Sequence, residues 1–417
     1  MKIIYFHQHF NTPDMSGSTR SFEFAKGLVK MGHEVIMITS YRESYKNKKW
    51  FVTEESGIKV NWLPLEYSNH YNFFQRLKVF IIFAWKSYFK AVKIKGDIVF
   101  ASTTPLTISI PAVYISKKKN IPMVLEVRDL WPTIPIAMKI LKNPILIFLA
   151  KLLEIWSYKN SSSIVALSPE MKKGIISKNV DPKKIAVIPN SCDLKDFEFN
   201  ENLASIFRQK RSWLKNRPLL VYTGTFGQVN DLSYAIRLAK ALIEQNSEIR
   251  ILLIGDGSEK KNLIKDAKKN NVFEKNLFFE KSLPKKDMQG CLSAANIMAN
   301  FVIDIKENWA NSANKFFDCL AAGKPIFLNH GGWLQDLVSK YECGLCMHGK
   351  KIEIVAKELD SVISNENWLK SSGYRAKNLA IKFFAREIHI KQLEKILILT
   401  KEKKFNFISD IAKGIYY

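Results

Sequence analysis

Along the first 190 residues, short runs of apolar and β-branched residues alternate with stretches whose apolar positions recur at helical spacing. The strand-like runs are KIIYFH (2–7), EVIMIT (34–39), IKVNWL (58–63), DIVFAS (97–102), MVLEV (123–127), SIVAL (163–167) and KIAVIP (184–189). Helical patterns fall between them, at about 18–31, 72–95, 106–118, 144–160 and 169–178. Continuously apolar strands separated by helices predict a parallel, doubly wound sheet.

The second half repeats the alternation. Strands are expected at PLLVYTG (218–224), IRILLIG (249–255), NLFFE (276–280), ANIMAN (295–300), PIFLN (325–329) and GLCM (344–347). The pattern predicts an α/β chain of two tandem Rossmann-like domains, 1–190 and 218–382. Residues 191–217 read as the linker region, and a C-terminal helix at about 383–417 can pack back onto the first domain. In such sheets ligands sit at the carboxyl ends of the strands, and two sheets facing across a cleft suit a two-substrate reaction.

Length and composition fit this picture. The chain has 417 residues, too many for one core, with 47% hydrophobic and 25% charged residues. Charge changes it: 64 Lys+Arg against 39 acidic residues give +25. Such an excess suits a polyanionic partner, although abundant Lys, Ile and Asn leave coding-base composition as another source. The basic residues are dispersed and no nucleic-acid motif appears, which argues against a nucleic-acid partner.

Five scattered cysteines suggest no disulfide framework, and Cys343-x-x-Cys346 lacks the companions of a zinc site; it reads as two buried cysteines around a glycine turn. MKIIYFHQHF does not read as a signal peptide, and no run reads as a transmembrane helix. A cytoplasmic setting is expected.

Several junctions carry candidate chemistry. The turn GTFG (224–227) follows the first strand of the second domain. It is either a close backbone approach to a ligand or a plain tight turn. Its spacing fails the dinucleotide fingerprint. In IGDGSEKKNL (254–263), Asp256 or Ser258 either caps the next helix or Asp256 meets a nucleotide. Gly17 and Ser18 precede a helix with Arg20 in its first turn, so backbone N–H groups there could face a phosphate across the cleft; the alternative is a surface loop. In EVRDLWP (126–132), Arg128 and Asp129 stand just past a strand, as site residues or as a buried ion pair. No metal-ligand cluster is evident.

The stretch NSANKFFDCLAAGKPIFLNHGGW (311–333) draws most attention. Asn311 or Ser312 can cap a helix whose free N–H groups, at 313–315, bind an anion. Lys315 adds a charge for a diphosphate, and Asp318, on the same face, can accept from both ribose hydroxyls. The alternative is an i,i+3 salt bridge between Lys315 and Asp318.

Taken in order, HQHFNTPDMSGSTRSFEFAKGLVKMGHEVIMIT, EVRDLWP, IAVIPNSCD, YTGTFG, LLIGDGSEKKNL, NSANKFFDCLAAGKPI and NHGGW resemble the GT-B glycosyltransferases of family 4. The similarity is greatest to the O-antigen and capsule branch and its L-fucosamine (N-acetyl-L-fucosamine) transferases. The resemblance implies a GT-B fold and a retaining, metal-independent hexosyltransferase without a cofactor. A UDP-sugar donor would bind the C-terminal domain through Gly224, Thr225, Gly227, Asp256, Asn314, Lys315 and Asp318, with Gly17 and Ser18 of the first domain completing the donor site. Arg128, Asp129 and Lys315 would serve catalysis.

The family's E-x7-E element has its second acid at Asp318, but its first falls on Ala310. QVND (228–231) stands where many members carry cations, which leaves Lys315 to supply that charge. The implied acceptor is an undecaprenyl-diphosphate-linked saccharide. Basic, aromatic helices at 71–95 and 134–159 would rest on the anionic inner leaflet of the cytoplasmic membrane, or else bury their apolar faces in the core. A GT-B-like UDP-sugar epimerase and an inactive sugar-nucleotide-binding subunit are the alternatives.

Overall fold

The computed structural model describes residues 1–15, 17–43, 45, 47–68 and 71–411, apart from the side chains of 285 and 286. The end of the expected C-terminal helix, 412–417, lies outside the described residues. The chain divides into two units. One contains residues 1–189, 310–312 and 387 onward; the other contains 190–309 and 313–386.

In the first unit the order is β1 (Lys2–Phe6), α1 (Arg20–Lys30), β2 (Glu34–Tyr41), β3 (Phe51–Glu55), β4 (Ile58–Pro64), α2 (Phe73–Val92), β5 (Ile98–Ser102), α3 (Ser109–Lys119), β6 (Met123–Val127), α4 (Thr133–Ala137), α5 (Pro144–Lys159), β7 (Ser163–Ala166), α6 (Pro169–Ile176) and β8 (Ile185–Val187). The sheet runs β3-β4-β2-β1-β5-β6-β7-β8. Seven strands are parallel, as the apolar runs predict. β3 corrects the expectation: FVTEE is half polar and pairs antiparallel with β4 at the sheet edge, where one face meets solvent. Every residue of β5 and β6 is buried, and each large apolar side chain so placed contributes roughly 1.5–3 kcal/mol.

Local signals set the helices. Asn72 and Gln75 form a reciprocal capping box at α2. Ser168 caps α6 and Asn143 caps α5, each with proline next.

The second unit holds α7 (Glu201–Gln209), β9 (Leu219–Thr223), α8 (Ser233–Glu244), β10 (Arg250–Ile254), α9 (Lys260–Lys269), β11 (Leu277–Glu280), α10 (Lys285–Ala294), β12 (Ile297–Asn300), α11 (Asn314–Ala321), β13 (Ile326–Leu328), α12 (Trp333–Tyr341), β14 (Gly344–Cys346), α13 (Ile352–Ile363) and α14 (Glu366–Leu379). Its sheet, β11-β10-β9-β12-β13-β14, is parallel throughout. Helix α7 lies within the stretch read as the linker region. Cys343 is buried, but Cys346 is only partly so, its thiol directed to the Gln335 carbonyl at 3.6 Å.

Helix α15 (Arg386–Lys401) is followed by a short 3-10 helix at Phe405–Asp410, and from Glu387 onward the chain belongs to the first unit. Ile390, Leu393, Ile396 and Leu397 enter the core beneath α1 and β1. Gly27 is the matching gap on α1: a Cβ there would come within 2.6 Å of Ile390.

Candidate active site

In the second unit, strands β9 and β10 end in adjoining turns. Gly224 N–H donates to the Ile254 carbonyl at 3.0 Å and Phe226 N–H to the Asp256 carbonyl at 2.8 Å. At Gly255 (φ +159°) a Cβ would lie 1.8 Å from the Gly224 carbonyl oxygen, and at Gly257 (φ +156°) 2.5 Å from that of Phe226. Those two glycines make room for neighbouring backbone. Gly227 differs, because a Cβ there would meet only the Thr225 methyl at 3.8 Å. Open space over a glycine turn admits a ligand.

Neither expected cap forms at the next helix. The N-cap of α9 is Glu259, with no side-chain hydrogen bond. Asp256 is exposed; its carboxylate accepts from the Gly257 N–H at 2.9 Å and stands 3.9 Å from Lys260.

Lys315 reaches the first of these turns. It lies in the first turn of α11, whose N-cap is Ala313 rather than Asn311 or Ser312, again without a side-chain cap. Those two residues belong with the first unit instead. Lys315 Nζ donates to the Tyr222 hydroxyl at 3.0 Å and to Asn230 Oδ1 at 3.1 Å. Tyr222 OH and Asn230 Nδ2 both donate to the Thr225 carbonyl, at 3.0 and 2.8 Å. Three donors on an ammonium leave one for a ligand.

Burial pushes Lys315 down to about 7, because the charged form loses solvation. The salt bridge to Asp318 does not form: the Lys315 ammonium is engaged elsewhere. Asp318, partly buried, acts electrostatically on Cys319 and Cys192. Asn314 is the first residue of α11.

Loop 301–313 and the end of β13 are pinned to each other. Asn329 accepts from Val302 N–H and donates to Val302 C=O, both at 3.0 Å. The glycine pair in NHGGW makes room for Trp309: a Cβ on Gly331 would come 3.0 Å from its ring, and on Gly332 2.6 Å from its Cβ. His330 is buried, with Nδ1 2.8 Å from the Gly331 carbonyl; burial lowers it to about 4, keeping it neutral.

In the first unit, Asn11 Nδ2 donates to the Ser18 carbonyl at 3.1 Å. Gly17 (φ +127°) sits against that amide, where a Cβ would lie 2.6 Å from it. Arg128 makes no ion pair with Asp129. Its guanidinium is 3.3 Å from His7 Nε2 and 3.4 Å from Ser18 Oγ. Arginine can only donate, so His7 Nε2 accepts and Nδ1–H points to the Ser102 carbonyl at 3.2 Å. Burial, then Arg128, lowers His7 to about 3.

Surrounding protein pushes the Asp129 carboxyl up to about 6. The residue nonetheless keeps an exposed surface, so water screens part of that push. Arg20 is removed from any ligand role. It is 2% exposed, donates to Glu126 at 2.8 and 3.0 Å, and also bonds the Ile188 and Pro189 carbonyls. Burial pushes Glu126 up, but the Arg20 and Arg128 charges and the Ser102 hydroxyl hold it below the usual carboxylate range.

Within each unit, then, some expected residues meet and others do not. Ser18 and Arg128 meet, as do Gly224 and Lys315, whose Cε lies 3.5 Å from a Cβ on that glycine. Asp256 and Asp318 stay outside the Lys315 hydrogen bonds. Tyr222 and Asn230 are functional candidates that sequence reading passed over. Tyr222 is the one aromatic residue in the apolar strand before GTFG, and Asn230 was read only as a missing cation.

Comparison with known proteins agrees with both folds. The profile for Glycosyltransferase Family 4 matches residues 17–196, and that for Glycosyl transferases group 1 matches 205–379. No curated protein matches the sequence. Sucrose-phosphate synthase from Thermosynechococcus elongatus superposes with a TM-score of 0.75 at 15% identity, over 95% of this chain and 98% of that one. HepE from Anabaena, solved with UDP and glucose, gives 0.71 at 15%, over 95% and 99%. WaaG, a glycosyltransferase involved in lipopolysaccharide biosynthesis, gives 0.65 at 14%, over 99% and 100%. The chain belongs to the GT-B glycosyltransferases, with a family 4 domain followed by a group 1 domain.

Proposed function

We propose that this GT-B glycosyltransferase moves a sugar from a UDP-sugar to an undecaprenyl-diphosphate-linked saccharide, with retention and without a metal or cofactor. The setting is O-antigen or capsule synthesis, and N-acetyl-L-fucosamine is the candidate sugar. One observation carries the reading: Lys315 Nζ, held by Tyr222 and Asn230, lies at the turn whose Gly227 is open to a ligand. HepE, solved with UDP and with UDP-glucose, and WaaG, named for lipopolysaccharide biosynthesis, support the donor and the setting.

In this reading Gly224, Thr225 and Gly227 admit the nucleotide, with Asp256 at the adjoining turn. Asn314 and Lys315 hold the diphosphate and Asp318 takes the ribose hydroxyls. As the bond from C1 to the diphosphate breaks, negative charge grows on the phosphate, and protonated Lys315 stabilises it. The acceptor hydroxyl attacks C1 on the face the diphosphate leaves. Its proton passes to a phosphate oxygen, and UDP departs. The first unit takes the acceptor, with Gly17 and Ser18 in its loop and Arg128 and Asp129 orienting hydroxyls.

Docking on an anionic inner leaflet belongs to the same proposal. On α2, Phe74 and Trp85 are 72% and 67% exposed; on α5, Ile145 and Phe148 are 67% and 60% exposed. Lysines interleave with them, as a peripheral helix requires. Among the described residues no helix is long and apolar enough to cross a membrane.

The test is a panel of UDP-sugars against lipid-linked saccharides, read by mass spectrometry and by NMR at the new anomeric centre. One UDP-sugar should yield UDP and a lipid product longer by one sugar of unchanged anomeric configuration. An inverted product, or turnover only with another nucleotide's sugar, contradicts the proposal.

A further inference from the structure

The first unit contains a second concentration of positive charge, at the opposite edge of its sheet from Ser18 and Arg128. Strands β1, β2 and β4 begin there, and α2 ends there. Between them is a cleft of about 480 Å³ lined by Lys2, Glu34, Lys59, Lys90, Lys93 and Lys95, among others. Five lysines thus face one carboxylate. Glu34 pairs with Lys2 at 2.9 Å. Among the described residues, no acidic side chain lies within 4 Å of the other four ammonium groups.

Like charges gathered in a concavity repel one another and cost the fold stability unless something offsets them. Lys90 registers that cost: burial, then the charges of Lys59 and Lys93, hold its ammonium below the usual lysine range. Its Nζ lies 5.5 Å from the Trp50 ring centre. The carboxyl end of a helix favours cations, which accounts for Lys90 and Lys93 at the end of α2. It does not account for Lys2 and Lys59, which come from strands with no helix end of their own.

We propose that this cleft is a binding site for a phosphate-bearing group, separate from the Lys315 site and held by Lys2, Lys59, Lys90, Lys93 and Lys95. The shared chemistry is a phosphate oxyanion receiving several ammonium donors. It could belong to a free phosphate compound or to a lipid headgroup. The exposed Trp85 and Phe89 lie just upstream on α2.

Residue-resolved acetylation of the intact protein tests this without any variant. Lysine reactivity is compared by mass spectrometry in chloride, in inorganic phosphate at equal ionic strength, and with phosphatidylglycerol or phosphatidylcholine vesicles. Phosphate should slow acetylation of Lys59, Lys90 and Lys93 by roughly threefold or more, while Lys117 and Lys118 on α3 stay unchanged. Protection by phosphatidylglycerol but not phosphatidylcholine vesicles identifies a headgroup as the occupant. Protection by phosphate alone identifies a soluble ligand. Equal protection of all lysines, or none at these three, overturns the proposal.

Discussion

Lys315 Nζ donates to the Tyr222 hydroxyl at 3.0 Å while lying 4.2 Å from the centre of the same ring. The ammonium is therefore held by a neutral hydroxyl, an amide oxygen and a π-face and, among the described residues, pairs with no carboxylate. Such surroundings fix its position without cancelling its charge, which leaves that charge for an anionic ligand.

The same surroundings make binding pH-dependent. Burial holds Lys315 down to about 7, and a bound diphosphate favours the charged form and raises that value. UDP binding should therefore take up a proton at Lys315 near about pH 8, and affinity should weaken as pH rises further. Calorimetry in two buffers of different ionisation enthalpy measures the uptake. A binding enthalpy independent of buffer near that pH would rule out Lys315 as the phosphate's partner.

The glycines of the two turns should separate by role. Gly255→Ala and Gly257→Ala force a Cβ into neighbouring backbone and should each destabilise by about 1–3 kcal/mol or more. Gly227→Ala meets open space and should leave the melting temperature near wild type while weakening UDP binding. Thermal melts with and without UDP check both halves.

Arg20 and Glu126 should behave as a structural pair. Arg20→Met leaves a buried carboxylate unpaired and should cost roughly 3–5 kcal/mol at neutral pH. Glu126 has a lowered folded value, so its contribution is present above the unfolded carboxylate value and lost as pH falls through the folded one. The penalty of the variant should accordingly shrink in acid. Urea unfolding across pH measures this, and a penalty flat with pH contradicts it.

Trp85 and Phe148 are exposed, so Trp85→Ser with Phe148→Ser should leave folding intact. The pair should weaken binding to phosphatidylglycerol vesicles by about tenfold or more, from roughly 1.5–3 kcal/mol per large side chain. Vesicle flotation checks it; unchanged flotation removes these helices from the membrane reading.

Both Rossmann-like sheets were legible because buried parallel strands must be continuously apolar. β3 was not, since an antiparallel edge strand carries a polar face that periodicity reads as loop. At the site, Lys315 stood out as a cation at a helix start. Its partners did not, because Tyr222 and Asn230 lie more than 80 residues earlier and only the sheet order β9-β12-β13 brings their turn beside α11. The glycine pair at 331–332, within the stretch around Lys315, serves packing instead: it is the space filled by Trp309.

Lys315 is proposed as the cation of the donor site, and titration of UDP into wild type and Lys315→Met tests that most directly. Methionine keeps the stem and removes the charge, so the melting temperature should be unchanged or higher. UDP affinity should fall about 10- to 100-fold, as expected for losing a hydrogen bond to a charged group. Equal affinity in a folded Lys315→Met protein would contradict the account.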